Sequence, residues 1–433
     1  MIKNFIDKYL VLLSSLAVFL CFIPLFYFST KFMVNNWAYA DALINYSEGF
    51  VRRGFLGEIL LFTYKVTNIE LSKIYSYFFI IITFTNIIFF ILILKNVSKS
   101  RFVYLFLLIN PVLLFFPLHD TLAYMRKEMI MLTLMLFHCY ICNNYHNKKI
   151  HKKKYLKFLY LIIIPGIMVS TLMHDMQVFL VPFHFLLSVN VLNKNLKLFN
   201  PKNYFEKVNL TLTPYLITLL PIIIFQFYPT DIEKLKIMAE KLSAIEPNLW
   251  WDGIRFTANP FFNAVIEESK FMFSVDKMGT YNHLFKYSFL LFLSLISIIF
   301  IFKVVLKKNI KIFNNHFLYF SILPIFLLFF IGRDWGRWIN MISWTCLLFY
   351  LQFNINIKNS YFFIFKKNIL LNIMIVSLSC YYLFFLFLPH CCKGQRIDGG
   401  FSSNIKLAYQ LIFEDSNHLN KIFRKHGKGY ESN

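Results

Sequence analysis

The sequence predicts an all-α integral membrane protein with about eleven transmembrane helices, its N-terminus in the cytoplasm. Three observations predict it. Of the 433 residues, 58% are apolar and 15% charged, where a soluble domain carries roughly 25% charged residues. Mean hydropathy is +0.56. Apolar runs close to the ~20 residues that cross a hydrocarbon core recur along the chain, and lysines gather in every second connection between them.

In chain order the runs lie at 9–30, 74–94, 102–118, 129–145, 158–173, 176–193, 208–228, 287–302, 316–331, 338–353 and 368–388. The first reads as a retained span rather than a cleaved signal. It is longer than a signal's apolar region, and Cys21 follows Phe19 and Leu20 rather than small residues. The run at 55–64 contains Glu58 and is too short to cross, so it is placed in the interface. Residues 158–193 are read as two helices with His174 and Asp175 at their junction. The lysine-rich stretches before and after must share a side, and an acid at the bilayer centre costs about 2.5–3.5 kcal/mol.

With the N-terminus inside, the cytoplasmic segments hold 22 basic residues against Asp7 and Glu206, leaving 23 basic and 20 acidic residues elsewhere. This asymmetry accounts for nearly all of the +23 net charge, and no nucleic-acid partner is needed. The chain reads as a polytopic membrane domain, 1–388, with external loops at 31–73 and 229–285, followed by an extracytoplasmic tail at 389–433. Within that tail NIKLAYQLI reads as a surface helix.

Every mixed-charge cluster then falls outside: Asp41 to Arg53, His119-Asp120 with Arg126-Lys127-Glu128, His174-Asp175, and Arg333-Asp334 with Arg337. If Asp41 to Arg52 is helical, Asp41, Glu48 and Arg52 share a face, although Gly49, Gly54 and Gly57 argue for a broken or re-entrant helix. Glu48 lies one turn before Arg52, close enough for a local ion pair. Asp41 has no such neighbour and is the freer acid. Carboxylates beside arginines suit a reaction in which a base activates a hydroxyl while cations hold a phosphate leaving group; the plain alternative is an interfacial loop touching lipid headgroups.

Arg333 and Arg337 stand at i, i+4 in a tight connection, a fork for pyrophosphate oxygens, with Asp334 able to orient either. Trp335 and Trp338 suit a sugar face or an aromatic belt. In the external loop, Thr230 and Glu233 have capping-box spacing and start a helix. Trp250 and Trp251, beside Asp252 and Arg255, suit a carbohydrate or a loop resting on the bilayer. His138, Cys139, Cys142 and His146 have ligand-like spacing, but one helix rarely completes a zinc shell, and no metal or other cofactor is expected. No P-loop, Gly-rich dinucleotide turn or GxSxG occurs.

The layout of cytoplasmic lysine loops, an acid-and-arginine first external loop and a late large external loop resembles the bacterial Wzy-type O-antigen and capsule polymerases. Those are related in layout to the GT-C membrane glycosyltransferases. In sequence the resemblance rests on 45–60, which contains GFVRRGFLGE, and on 332–338, GRDWGRW. The large loop departs from the pattern by lying between the seventh and eighth spans, and eleven spans leave the C-terminus outside.

The resemblance implies a site on the periplasmic face of the inner membrane. There, glycan on undecaprenyl pyrophosphate passes to the hydroxyl of a second lipid-linked unit, and a chain-length regulator protein is an implied partner. It implies Asp41 or Glu48 as base, with His174 or Asp175 in reserve. Arg52, Arg53, Arg126, Arg333 and Arg337 then hold the pyrophosphate, with Trp250 and Trp251 against the sugar. A GT-C transferase using a polyprenyl phosphate sugar is the alternative. A lipid-linked oligosaccharide flippase fits less well, because the spans are uncharged and show no paired repeat.

Overall fold

The computed structural model describes residues 2–31, 36–97, 101–119, 123–192, 213–227, 231–247, 260–273, 280–300, 316–331 and 334–353, with isolated residues between these stretches. Among the described residues the chain is all-helical, with no β-strand. The tail at 389–433 and most of the run at 368–388 lie outside them.

Helix α1, Ile2–Lys31, is continuous through Pro24. Helix α2 is Asn36–Ala42, α3 Gly54–Thr67 and α4 Leu71–Val97. Helix α5, Arg101–Leu108, stops before Asn110, whose side chain accepts the Val112 N–H at 3.0 Å. Pro111 adds a residue with no N–H to donate, so the run at 102–118 is not one helix. A short α6, Phe116–His119, leads to α7, Glu128–His146.

Helix α8, Lys152–Phe158, passes through a π turn at Leu159–Ile163 into α9, Ile164–Met173. Pro165 sits in the first turn of α9 and cannot bond the carbonyl four residues back, so the ladder widens there. The chain breaks at His174, in extended conformation, as the spacing predicts. It resumes as a 3-10 turn, Asp175–Leu180, and α10, Val181–Leu192.

A second 3-10 turn, Thr213–Leu219, precedes α11, Leu220–Phe227. Helix α12, Ile232–Ser243, is capped by Asp231, which accepts the Glu233 N–H at 3.0 Å; Thr230, the cap expected from sequence, lies outside the described residues. An aspartate directly before the first turn reaches that N–H with its own carboxylate. Helices α13, Phe261–Phe273, α14, Thr280–Phe300, α15, His316–Ile331, and α16, Trp335–Phe353, complete the described chain.

Among the described residues three helices are long and apolar enough to cross a membrane: Leu71–Lys95, Lys152–Met173 and Asp175–Leu192. A fourth is added if Thr213–Phe227 and Ile232–Ser243 count as one bent span. This is fewer than the eleven apolar runs. The runs at 9–30, 287–302 and 316–331 give the shorter apolar stretches Ser15–Tyr27, Leu284–Ile299 and Leu318–Phe330. Helices α7 and α16 carry buried polar residues, among them His138, Asn143, Asn340 and Gln352.

Helix α16 occupies the middle, buried from Trp335 to Gln352. Helix α4 packs along α7. Phe90 of α4 meets Trp344 edge-on at 4.8 Å, and Phe183 of α10 meets Phe349 at 5.4 Å. The outer helices keep large apolar side chains exposed, including Leu12, Phe62, Ile81, Leu161, Phe227 and Phe285. So broad an apolar surface is unsuited to water and has the composition of a lipid-facing one.

The polar half of α7 is tied by side chains. The Tyr215 hydroxyl donates to the His184 carbonyl at 3.0 Å, and a carbonyl can only accept. Ser188 therefore donates to Tyr215 at 2.8 Å and Tyr155 to Ser188 at 3.2 Å. His138 Nε2–H then donates to Tyr155 at 3.2 Å, and His184 Nδ1–H to His138 Nδ1 at 3.1 Å. This one-way circuit joins α7, α8, α10 and the 213–219 turn, and it occupies His138, the first residue of the ligand-like spacing.

Helix α3 lies directly on the loop that precedes it. A Cβ on Gly57 would stand 2.0 Å from the Ile44 carbonyl oxygen, and one on Gly54 would stand 2.4 Å from the Tyr46 ring. Backbone cannot yield as a side chain can. Gly57→Ala is expected to destabilise the protein by about 1–3 kcal/mol or more, read as a lower unfolding temperature in detergent. An unchanged melting curve would show that α3 can shift away.

Candidate functional site

Four segments far apart in the chain meet in one buried cluster of charges: the end of α2 with the loop to α3, the start of α7, the break at His174, and the start of α16. Asp41 closes α2, which ends at Ala42, so Asp41, Glu48 and Arg52 do not share a helical face. Instead the loop turns back and places Arg52 and Arg53 at the entrance of α3.

Asp175 has no solvent exposure. Arg53 Nη2 lies 2.8 Å and Nε 3.0 Å from its Oδ1, while Arg52 Nη1 lies 3.0 Å from its Oδ2. The same Arg53 reaches Asp41 Oδ1 with Nη1 at 3.2 Å. Lys127 approaches Asp41 Oδ2 at 3.0 Å and donates to the Asp41 carbonyl at 2.7 Å. Arg53 therefore bridges two acids, and Asp41 bridges two cations.

A second arm begins at Glu128, the first residue of α7. Its Oε1 pairs with Arg337 Nη1, and Arg337 Nη2 pairs with Asp334. His174 joins the arms. The Met176 N–H donates to its Nδ1 at 3.2 Å, Nδ1 also stands 3.3 Å from Asp175 Oδ1, and Nε2 faces Glu128 Oε1 at 3.6 Å. Arg126 is half-buried, and its charge reaches both Glu128 and Arg337.

Local backbone explains these placements. Arg53 has φ 68° and Met125 has φ 61°, left-handed conformations costly for side chains of this kind. Both sit next to charged members of the cluster, where the ion pairs hold them. Helices α3, α7 and α16 and the 175–180 turn all begin at the cluster, and helix starts carry partial positive charge. That polarity suits the acids at these starts, Glu128, Asp175 and Asp334, and any bound anion.

Burial alone would raise the Asp41 carboxyl, but Lys127 and Arg53 outweigh it and hold the group below its ordinary value. Burial likewise pulls Arg52 down, to about 10, against the attraction of Asp175. For Arg53 the loss of water is overcome by Asp175 and Asp41, which push its value up. At neutral pH Asp41 is thus a firmly held carboxylate with both oxygens engaged.

Of the residues singled out from sequence, Asp41, Arg52, Arg53, His174, Asp175 and Arg337 meet here, with Arg126 beside them. Glu48 stands apart. It pairs with exposed Lys241 of α12 instead of Arg52, because the turn carries it away from the helix start. Arg333, Trp250 and Trp251 lie outside the described residues. Trp335 and Trp338 are buried, Trp335 against Tyr287 and Phe329, so neither stands on an outer aromatic belt. Sequence reasoning placed Lys127 and Glu128 in a charged cluster without giving them a role, and gave Asp334 that of orienting the arginines. Lys127 and Glu128 adjoin Arg126 in a charged run at the end of an apolar span, which was the available signal. Among the described residues no group of three or more His, Cys, Asp or Glu side chains could hold a metal ion.

The Asp41–Lys127 pair gives a stability test. Removing one partner of a buried pair leaves an uncompensated charge and costs roughly 3–5 kcal/mol, whereas removing both is far milder. Asp41→Asn is expected to lower the unfolding temperature sharply, and adding Lys127→Met should restore much of it. Because the Asp41 value is depressed on folding, its contribution is present above about pH 4 and fades as pH falls further. Asp41→Asn should blunt that acid sensitivity, and additive effects of the two substitutions would show that the pair is uncoupled. Searches of family models, curated proteins and solved structures find no match to this chain.

Proposed function

We propose that this chain is a membrane glycosyltransferase of the polysaccharide-polymerase type, acting on glycans carried by undecaprenyl pyrophosphate. The observation that carries the reading is the meeting of four sequence-distant charged segments in one arginine-rich cluster faced by helix starts. Glycosyl transfer from a lipid pyrophosphate needs what this cluster supplies: cations for a departing diphosphate and a carboxylate within reach of a hydroxyl.

The acceptor hydroxyl oxygen bonds to the anomeric carbon of the growing glycan and gives up its proton to a base. The bond from that carbon to the pyrophosphate oxygen breaks, and its electron pair stays on the diphosphate. Arg53, Arg337 and Arg126 are the cations placed to stabilise that charge, and Arg52 orients Asp175 beneath them. No nucleotide is consumed.

The topology belongs to the same proposal. The lysine asymmetry supports eleven spans, a cytoplasmic N-terminus, a GT-C-like layout and a site facing the periplasm of the inner membrane. The exposed apolar faces of the outer helices supply the lipid contact.

Deleting the gene is expected to replace long surface polysaccharide by caps of a single repeat on a gel. Complementing with Arg337→Lys, at equal membrane level, should restore little polymer, because a planar fork becomes a point charge. Loss of all surface glycan on deletion would favour a transferase using a polyprenyl phosphate sugar, and an unchanged ladder would overturn the polymerase reading.

A further inference from the structure

Of the acids picked out from sequence as the base, Asp41 and Asp175 have a cation against each oxygen, and Glu48 stands away from the cluster. Asp41 has Arg53 on one oxygen and Lys127 on the other. Asp175 has Arg53 on Oδ1 and the Arg52 charge 3.0 Å from Oδ2, an ion pair without a hydrogen bond. Glu48 is tied to Lys241 at the periphery. Glu128 differs. Its Oε1 is held by Arg337 and faced by His174, while its Oε2 is buried with neither a hydrogen bond nor an ion pair among the described residues. A buried carboxylate oxygen left unpartnered is costly, so such a group calls for an explanation by function or by a bound donor.

We propose that Glu128 Oε2 accepts the proton of the acceptor hydroxyl, with His174 as a positioning residue that holds the carboxylate through Oε1; this rests on the glycosyltransferase reading above. The roles follow from the two ends of the imidazole. Nδ1 lies 3.2 Å from the Met176 nitrogen and 3.3 Å from Asp175 Oδ1, and Nε2 is on the Glu128 side, 3.6 Å from Oε1. Arg337 fixes the other side of Oε1, so the carboxylate cannot rotate without losing both partners.

A carboxylate pinned in this way is a weak base, and the reaction suits one. In a transition state with oxocarbenium character the attacking oxygen turns strongly acidic as its bond to carbon forms. The proton then moves to Oε2 late, while the C–O bond to the diphosphate breaks and the electron pair departs with it. The protonated Glu128 next returns its proton to water, and its ionised form is restored by Arg337 and His174.

The test uses membranes of the deletion strain carrying each variant, with lipid-linked glycan extracted from that strain as substrate. Glu128→Gln is expected to lower the transfer rate by roughly 10²–10⁴-fold, and Glu128→Asp to recover part of it. His174→Leu removes a donor that favours the ionised carboxylate, so the acid limb of the rate–pH profile should move to higher pH. A role in folding alone would lower the rate without moving that limb. If Glu128→Gln fails to insert, the His174→Leu profile decides, and an unmoved limb overturns the proposal. Wild-type transfer by Glu128→Gln also overturns it and leaves the transferase reading standing if Arg337→Lys remains inactive. No transfer by the wild type overturns both.

Discussion

Asp175 is the constraint on which the site depends. It is a carboxylate with no solvent exposure, and it stands where the chain breaks between two apolar helices. A charge so placed is tolerated only with good geometry and several partners. Arg52 and Arg53 supply them, which forces the loop after α2 to fold back against the His174 break. Arg53 then carries the requirement onward to Asp41, and Asp41 to Lys127 at the start of α7. The interactions that stabilise the charges are thus the ones that bring the four segments together.

The backbone around this network is arranged to be rigid. Arg53 and Met125 are held in left-handed conformations, and Gly57 lets α3 touch the Ile44 carbonyl. Strain of about 1–3 kcal/mol per residue persists only where the surroundings over-determine the conformation. For the proposed transfer such rigidity would be preorganisation, since charges already fixed need no rearrangement as new charge develops.

Helix α7 separates two kinds of buried polarity. At its start Glu128 belongs to an ionic network; ten residues on, roughly 15 Å along the axis, His138 belongs to a neutral hydrogen-bond circuit. The circuit is closed on itself, running from the His184 ring back to the His184 carbonyl, and it ties helices together. The network ends on an unpartnered carboxylate oxygen. That contrast is why we propose chemistry at one end of α7 and packing at the other.

The amino-acid sequence alone determined the helical class, the break at His174 and which charged clusters interrupt the apolar pattern. These are local consequences of composition and periodicity. It also marked Asp41, Arg52, Arg53, Asp175 and Arg337, because charges beside apolar runs are costly wherever they fall. Which charge meets which was decided by the tertiary structure. Glu48 is four residues from Arg52 yet pairs with Lys241, 193 residues away, because α2 ends at Ala42 and the turn redirects the chain. Glu128 was one charge of a cluster in sequence, with no role of its own, and its place depends on Arg337, 209 residues further on. Helix length was likewise decided in three dimensions: the run at 102–118 looks continuous, but Asn110 with Pro111 divides it. Hydropathy records how apolar a stretch is. Side-chain hydrogen bonds to the backbone and the pairing of buried charges fix its path, and those partners lie elsewhere in the chain.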